Sequence, residues 1–192
     1  ASGYSLTQGI VALSYYGNAF IINNGDVTAS SSDGYSQAVA LRSGSGGKYT
    51  SALINSGSIS DDGSEYSVAI SATGGDTFIY NEGLIAGSII TDYGQDVILN
   101  KYGGQIVLTD DVINLYGGDG IIINDEYSTI SMDNSTIEFG DGYNTFINDG
   151  ELIVNGSNTI DMGYSEGGNT FYNNGSSIHM EDGAADDELT II

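Results

Sequence analysis

The sequence lacks cysteine, proline and tryptophan and has almost no cations. Lysine and arginine total three among 192 residues (Arg42, Lys48 and Lys101), against 26 acids, for a net charge of -23. Without cysteine there are no disulfides, and with His179 as the single histidine a zinc site of Cys and His ligands is excluded. Nucleic acid and anionic lipid are bound through Lys and Arg, so we expect neither as a partner. Cations are the natural counter-partners of such a surface.

The composition favours short strands and turns over helices. Hydrophobic residues make up 40% of the chain, and there are 29 glycines. Ile, Val, Thr, Tyr and Phe suit strands, and Gly, Asn, Asp and Ser suit turns. We expect one domain over 1–192, near-neutral over 1–60 and strongly acidic over 61–192.

An internal repeat organises the chain. A short apolar stretch runs into an asparagine, and in five of seven cases a glycine follows two residues later. The separations are 32, 26, 19, 24, 24 and 25 residues, which average 25. The asparagines are Asn23, Asn55, Asn81, Asn100, Asn124, Asn148 and Asn173.

Each repeat has three short strand-like pieces, as in Ala38–Leu41, Ala52–Asn55 and Ser58–Ser60. Stacking such units pairs the whole backbone, so the repeat predicts an all-β parallel β-helix (β-solenoid) of about seven rungs, three strands per rung. An antiparallel sandwich would alternate apolar and polar residues more cleanly. The continuous runs at 20–22, 97–99 and 121–123 favour strands packed deep in a coil.

The asparagine has a physical reason to recur. It tolerates the left-handed backbone of a sharp corner, and its amide can bond the same residue in the next rung. The glycine two residues later would supply a second unusual backbone angle. After Asn100 and Asn124 the next inward apolar residue comes six positions later, against four after Asn23, Asn55, Asn81 and Asn148, which predicts a corner bulge. Segments 30–35 and 43–49 are predicted surface loops.

Carboxylates in glycine-rich corners suggest calcium as a cofactor. Residues 117–120 resemble the opening of the calcium-binding RTX nonapeptide, but Ile122 stands where that motif has its ligating Asp. The alternative is that Asp and Asn cap strands at tight turns, as at Asp76, Asn144 and Asn169. The candidate ligands are Asp76, Asp119, Asp141, Asp182, Asp186 and Asp187.

Tyrosines near turns suggest an adhesive surface, because exposed Tyr suits contact with proteins and sugars. The alternative is packing across the corners of the coil. The candidates are Tyr15, Tyr16, Tyr35, Tyr49, Tyr66, Tyr93, Tyr143 and Tyr164.

Enzymatic chemistry has little support in the sequence. A Ser/His/Asp triad would need His179, yet no G-x-S-x-G elbow occurs. Acid pairs such as Asp61–Asp62 and Asp110–Asp111 lie on adjacent residues, which point to opposite faces of a strand. We expect no catalytic residues, with a polysaccharide-cleaving β-helix as the alternative.

The Asn-x-Gly-x-Ile motif at the corners and the segment 169–191 resemble passenger regions of bacterial autotransporters, the type V secreted proteins. The resemblance implies a right-handed β-helix at the bacterial cell surface or outside the cell, acting in adhesion or aggregation. We therefore expect a non-catalytic structural protein that binds itself, a host or matrix protein, or a glycan. A second hypothesis is end-to-end polymerisation through uncapped end rungs.

Overall fold

A computed structural model describes residues 6–30, 35–44, 48–64, 66–166, 168–174, 178–180 and 188–192. The elements within these residues are strands. They are β1 Leu6–Leu13, β2 Ala19–Asn23, β3 Asp26–Thr28, β4 Tyr35–Arg42, β5 Thr50–Asn55, β6 Ser58–Ser60, β7 Ser67–Thr73, β8 Asp76–Asn81, β9 Leu84–Ala86, β10 Ile89–Ile90, β11 Asp96–Asn100, β12 Gln105–Thr109, β13 Val112–Asn114, β14 Gly120–Asn124, β15 Thr129–Asp133, β16 Thr136–Glu138, β17 Thr145–Asn148, β18 Glu151–Asn155, β19 Ser157–Asp161, β20 Thr170–Asn173, β21 Ile178–Met180 and β22 Glu188–Ile191.

Every third strand belongs to the same sheet, and every pairing is parallel. Sheet A has the order β1-β4-β7-β10-β13-β16-β19-β22, sheet B runs from β2 to β20, and sheet C runs from β3 to β21. One strand of each sheet makes one rung, so the chain is a parallel β-helix of seven rungs with an eighth strand on sheet A. The three-strand rung is confirmed, and an antiparallel sandwich is excluded.

The core is built from columns of like residues. In sheet A, Val39 stacks on Ile70, and isoleucines continue through Ile89, Ile113, Ile137 and Ile160. β-Branched side chains pack well against their neighbours on a pleated surface, and here each meets its equivalent one rung away. The buried apolar residues form one cluster that extends from Ala19 to Met162.

The two longer corners after Asn100 and Asn124 are bulges, as predicted. Lys101 to Gly104 and Asp125 to Ser128 each form a turn, closed by N–H to carbonyl bonds of 3.0 and 2.8 Å. The extra residues leave the register intact, because Ile106 still pairs with Ile85 and with Ile130. Of the predicted loops 30–35 and 43–49, residues 31–34 and 45–47 lie outside the described residues, and Tyr35 already belongs to β4.

The prediction of left-handed asparagine corners is wrong. The left-handed non-glycine residues within the described ranges are Tyr102, Asp110, Tyr116 and Asn134. The ladder asparagines instead end the strands of sheet B, and their amides bond along the stack from there.

The corner glycines Gly57 and Gly83 are needed for a different reason from the unusual backbone angle that the sequence predicted. Gly57 and Gly83 have no positive φ, but a Cβ on Gly57 would lie 2.1 Å from the Gly25 carbonyl oxygen. A Cβ on Gly83 would lie 2.0 Å from the Gly57 carbonyl oxygen. Glycine is therefore required by close stacking of rungs and not by an unusual angle.

Candidate interaction face

The outer side of sheet B carries two columns of almost entirely apolar side chains along all seven rungs. We call these two columns the B face. The first column is Phe20, Ala52, Phe78, Val97, Ile121, Thr145 and Thr170. The second is Ile22, Ile54, Tyr80, Leu99, Ile123, Ile147 and Tyr172.

The B face corrects the interpretation of the continuous apolar runs as deeply packed strands. Only the middle residue of each run points into the core; Ile98 and Ile122 are fully buried. Their neighbours point outward because successive strand residues alternate between faces. Phe20 and Ile22 are each 55% exposed. Isolated apolar residues are common on protein surfaces, but a contiguous apolar face indicates an interaction site.

The B face bears no charge, on a chain with 26 acids. The outer faces of the other two sheets differ in this respect. Sheet A presents the column Ile90, Asn114, Glu138 and Asp161, and sheet C presents Asp26, Asp133 and Glu151 among polar residues and a few apolar ones such as Leu84, Val107 and Ile153. Sheet B also has one outward acid, Asp76 at the start of β8, but its two columns are free of charge along all seven rungs.

Tyrosines border the B face on both edges. Nine of the chain's 14 tyrosines lie in the corners on either side of sheet B, and two more belong to the B face itself. The corner between sheets A and B holds Tyr15, Tyr16, Tyr49, Tyr93, Tyr116, Tyr143 and Tyr164, the corner between sheets B and C holds Tyr102 and Tyr127, and the second column contains Tyr80 and Tyr172.

Most of the tyrosines singled out from the sequence are exposed. Tyr15, Tyr16, Tyr93, Tyr143 and Tyr164 are exposed in the corner between sheets A and B, and Tyr49 there is half-buried. Tyr35 and Tyr66 are also exposed but lie at the start of sheet A, with ring centroids 5.2 Å apart. Sequence reasoning missed Tyr102, Tyr116 and Tyr127 beside the B face. It also missed Tyr80 and Tyr172 within the face, because only the register shows these positions.

Two of these tyrosines adopt a costly backbone. Tyr102 and Tyr116 have φ of 56° and 44° and are 71% and 53% exposed. The left-handed region costs a non-glycine residue roughly 1–2 kcal/mol, and a bulky residue there is uncommon. Glycine would fit both positions better, so conformational stability does not explain the tyrosines. Such outliers motivate a functional hypothesis.

The asparagine ladder fixes the edge between sheets B and C. Each side-chain amide donates to the Oδ1 of the next ladder asparagine at 2.8 Å, from Asn23 through to Asn173. Most also donate to a backbone carbonyl of the next rung, as Asn100 does to Thr129 at 3.0 Å. Aligned amides polarise one another, and buried unmade bonds are costly. The ladder prediction is confirmed, and it makes the B face a rigid support.

Two of the candidate calcium ligands, Asp76 and Asp119, form hydrogen bonds to the backbone of the neighbouring rung. Asp76 accepts a hydrogen bond from the Gln95 backbone N–H at 3.0 Å, and Asp119 accepts one from Tyr143 at 2.9 Å. Asn18, which is uncharged, makes the same contact with Thr50 at 2.9 Å. A carboxylate at this position therefore needs no cation to explain it.

The remaining calcium candidates do not assemble into a site in the described part of the chain. Asp141 is exposed on its corner. Asp182, Asp186 and Asp187 lie outside the described residues. Among the residues described, no three His, Cys, Asp or Glu side chains come together in a way that could hold a metal.

A second polar column at the start of sheet B includes a buried acid. Asn144 donates to the carbonyls of Gly140 and Met162, as a capping residue does, and accepts from Gly120 N–H at 2.8 Å. Asp96 occupies the equivalent place and is 1% exposed. Its carboxyl accepts from Thr77 N–H at 2.9 Å and from Thr91 Oγ1 at 2.5 Å. Burial raises the pKa of Asp96 to about 6, against the lowering effect of these bonds.

A shallow groove lies at the corner between sheets C and A. Ser88 joins two acids there: its N–H donates to Asp61 Oδ2 at 3.3 Å, and its hydroxyl donates to Asp111 Oδ1 at 2.8 Å. Burial raises the pKa of Asp61, and the nearby carboxylates of Asp111 and Asp62 add to the rise. The acids that are adjacent in sequence, Asp61–Asp62 and Asp110–Asp111, do not act as pairs. The stacking of rungs instead brings one acid of each pair, Asp61 and Asp111, to Ser88.

The backbone of His179 belongs to β21, beside Ile153. No helix in the described residues is long and apolar enough to cross a membrane. A comparison with protein-family models, curated proteins and solved structures finds no match for this chain.

Proposed function

We propose that this chain is a non-catalytic structural module that acts in adhesion or self-association through the B face. The observation that carries the proposal is the combination of an uncharged, apolar B face with tyrosines on both of its edges. Interface cores are depleted in charge and enriched in aromatic residues. Tyrosine offers a large contact area with a polar tip at low entropic cost.

The architecture supports the same role. Backbone bonding between rungs and the asparagine ladder hold the face rigid, so binding orders little of the backbone. The resemblance to autotransporter passenger regions supports a further proposal, that the chain is exported and acts at the bacterial surface or outside the cell. Partners of the two proposed kinds are a second copy of the chain and a host or matrix protein or glycan.

Retention of coated beads under flow tests the function. Beads carrying the wild-type chain are passed over surfaces coated with this chain, with matrix proteins and with glycans. A matched pair of variants locates the contact: Val97→Glu on the B face and Val107→Glu on the outer side of sheet C, both half-buried and in the same rung. Each variant adds the same charge.

We expect retention of wild-type and Val107→Glu beads on at least one surface, and its loss for Val97→Glu. Absence of wild-type retention on every surface would contradict the proposed function. Equal retention of the two variants would remove the B face from it.

A polysaccharide-cleaving activity at the Ser88 groove is the second candidate. The observation that favours it is a pair of carboxylates of unequal surroundings, since glycoside hydrolysis uses one protonated and one ionised acid. Release of reducing sugar that Asp61→Asn abolishes would support it. A broad polysaccharide panel with no turnover would reject it.

A further inference from the structure

We infer that the partner of the B face is the B face of a second copy of this chain. This inference rests on the proposed function and names its partner. The two copies would pack face to face about a two-fold axis, so that each column of one copy meets a column of the other.

Charge selects the face through which two copies can meet. Two copies of a chain with a net charge of -23 repel each other. Contacts through sheets A or C would bring Glu138, Asp161 or Asp133 against like charges, which costs affinity. The two columns of the B face oppose no charge to charge, and the outward acid of sheet B, Asp76, lies at their edge. A basic partner would instead be attracted to the acidic sides of the rod.

The repeat makes the B face complementary to itself. Rungs are stacked roughly 4.8 Å apart, so both copies present side-chain ridges at the same interval. Facing sheets pack about 10 Å apart with their side chains interdigitated.

The available area suits a stable dimer. Seven rungs of about five residues give a face of roughly 30 by 17 Å, or about 500 Å² per copy. The tyrosine borders widen it toward the roughly 800 Å² per partner that specific interfaces bury. Tyrosines are enriched at such interfaces, and their exposed positions on both edges place them where a polar rim belongs.

Analytical ultracentrifugation of the wild-type chain, Val97→Glu and Val107→Glu tests the inference. Circular dichroism and urea unfolding first establish that each variant is folded. Over a micromolar concentration series we expect a monomer–dimer equilibrium for the wild type and for Val107→Glu. For Val97→Glu we expect the dimer Kd to rise at least about 100-fold, because the two-fold axis buries the new carboxylate twice.

Salt dependence gives an independent readout. Raising NaCl screens the repulsion between the acidic rods, so we expect the wild-type dimer Kd to fall by at least about threefold. A Kd that rises with salt would indicate ion pairs and overturn the packing proposed here.

A wild-type chain that stays monomeric throughout would also overturn the inference. So would equal dimerisation of Val97→Glu and Val107→Glu. If the chain is monomeric but beads are retained on a matrix protein or glycan through the B face, the proposed function holds and only the identity of the partner fails.

Discussion

Replacing the buried acid Asp96 with asparagine should stabilise the fold at neutral pH. The pKa of Asp96 is raised from 3.8 to about 6 by burial. An acid with a raised folded-state pKa holds its proton in the native state where the unfolded chain has lost it. Stability is therefore lost as pH rises from about 4 to about 6, by about 3 kcal/mol at roughly 1.4 kcal/mol per pKa unit.

Asparagine suits the site. Asn144 occupies the same column two rungs on, and the amide can accept from Thr77 N–H while donating to Thr91 Oγ1. We expect Asp96→Asn to be up to about 3 kcal/mol more stable than the wild type above pH 7, and equal to it below pH 4. The assay is urea unfolding followed by circular dichroism across this range.

The control for net charge is Asp141→Asn, which removes an exposed carboxylate and should change stability by less than about 0.5 kcal/mol. The reasoning would be refuted if Asp96→Asn matched the wild type at neutral pH, or if its advantage did not depend on pH.

The other predictions concern the ladder, the corners and the tyrosines. Asn100→Ala leaves buried donors and acceptors of the ladder unpaired, so we expect urea unfolding to show a free energy of unfolding lower by about 3–5 kcal/mol. A loss under about 1 kcal/mol would contradict the ladder's role. Gly57→Ala should destabilise the fold by at least about 2 kcal/mol. Gly25→Ala, whose Cβ would meet nothing within 4 Å, should leave stability unchanged or slightly raised. Equal changes in stability for the two variants would exclude close stacking as the reason for glycine at position 57. Asp119→Ala should cost about 1 kcal/mol equally with calcium and with chelator, and a loss seen only with calcium would make Asp119 a ligand. Tyr116→Gly should raise the melting temperature but weaken bead retention, and unchanged retention would remove Tyr116 from the contact.

The period and the asparagine corners were enough to predict the fold. Seven recurrences with a mean spacing of 25 residues define the rungs, and side-chain amides that stack in rungs form a ladder in any such solenoid. The two-residue strand Ile89–Ile90 could not be located from the sequence, because so short a piece has no detectable pattern and its rung is the shortest, 19 residues from Asn81 to Asn100.

The candidate face could not be predicted as a face. A run such as Val97–Leu99 is apolar on both sides of its strand, and composition cannot distinguish a buried outer side from an exposed one. The sequence shows that most of the candidate tyrosines are near turn residues, but the border that many of them share with sheet B depends on register. For the same reason the contact of Ser88 with Asp61 and Asp111 appears only once the rungs are stacked.

Chemical cross-linking between copies tests the central claim most directly. The chain has no cysteine, so a single cysteine reports on one position without background. Leu99→Cys lies on the B face in the middle rung, near the expected two-fold axis, and Val107→Cys lies on sheet C in the same rung. With a short bis-maleimide at low-micromolar protein, we predict rapid covalent dimer formation for Leu99→Cys and little for Val107→Cys. Equal yields from the two positions would contradict a B face that pairs with itself.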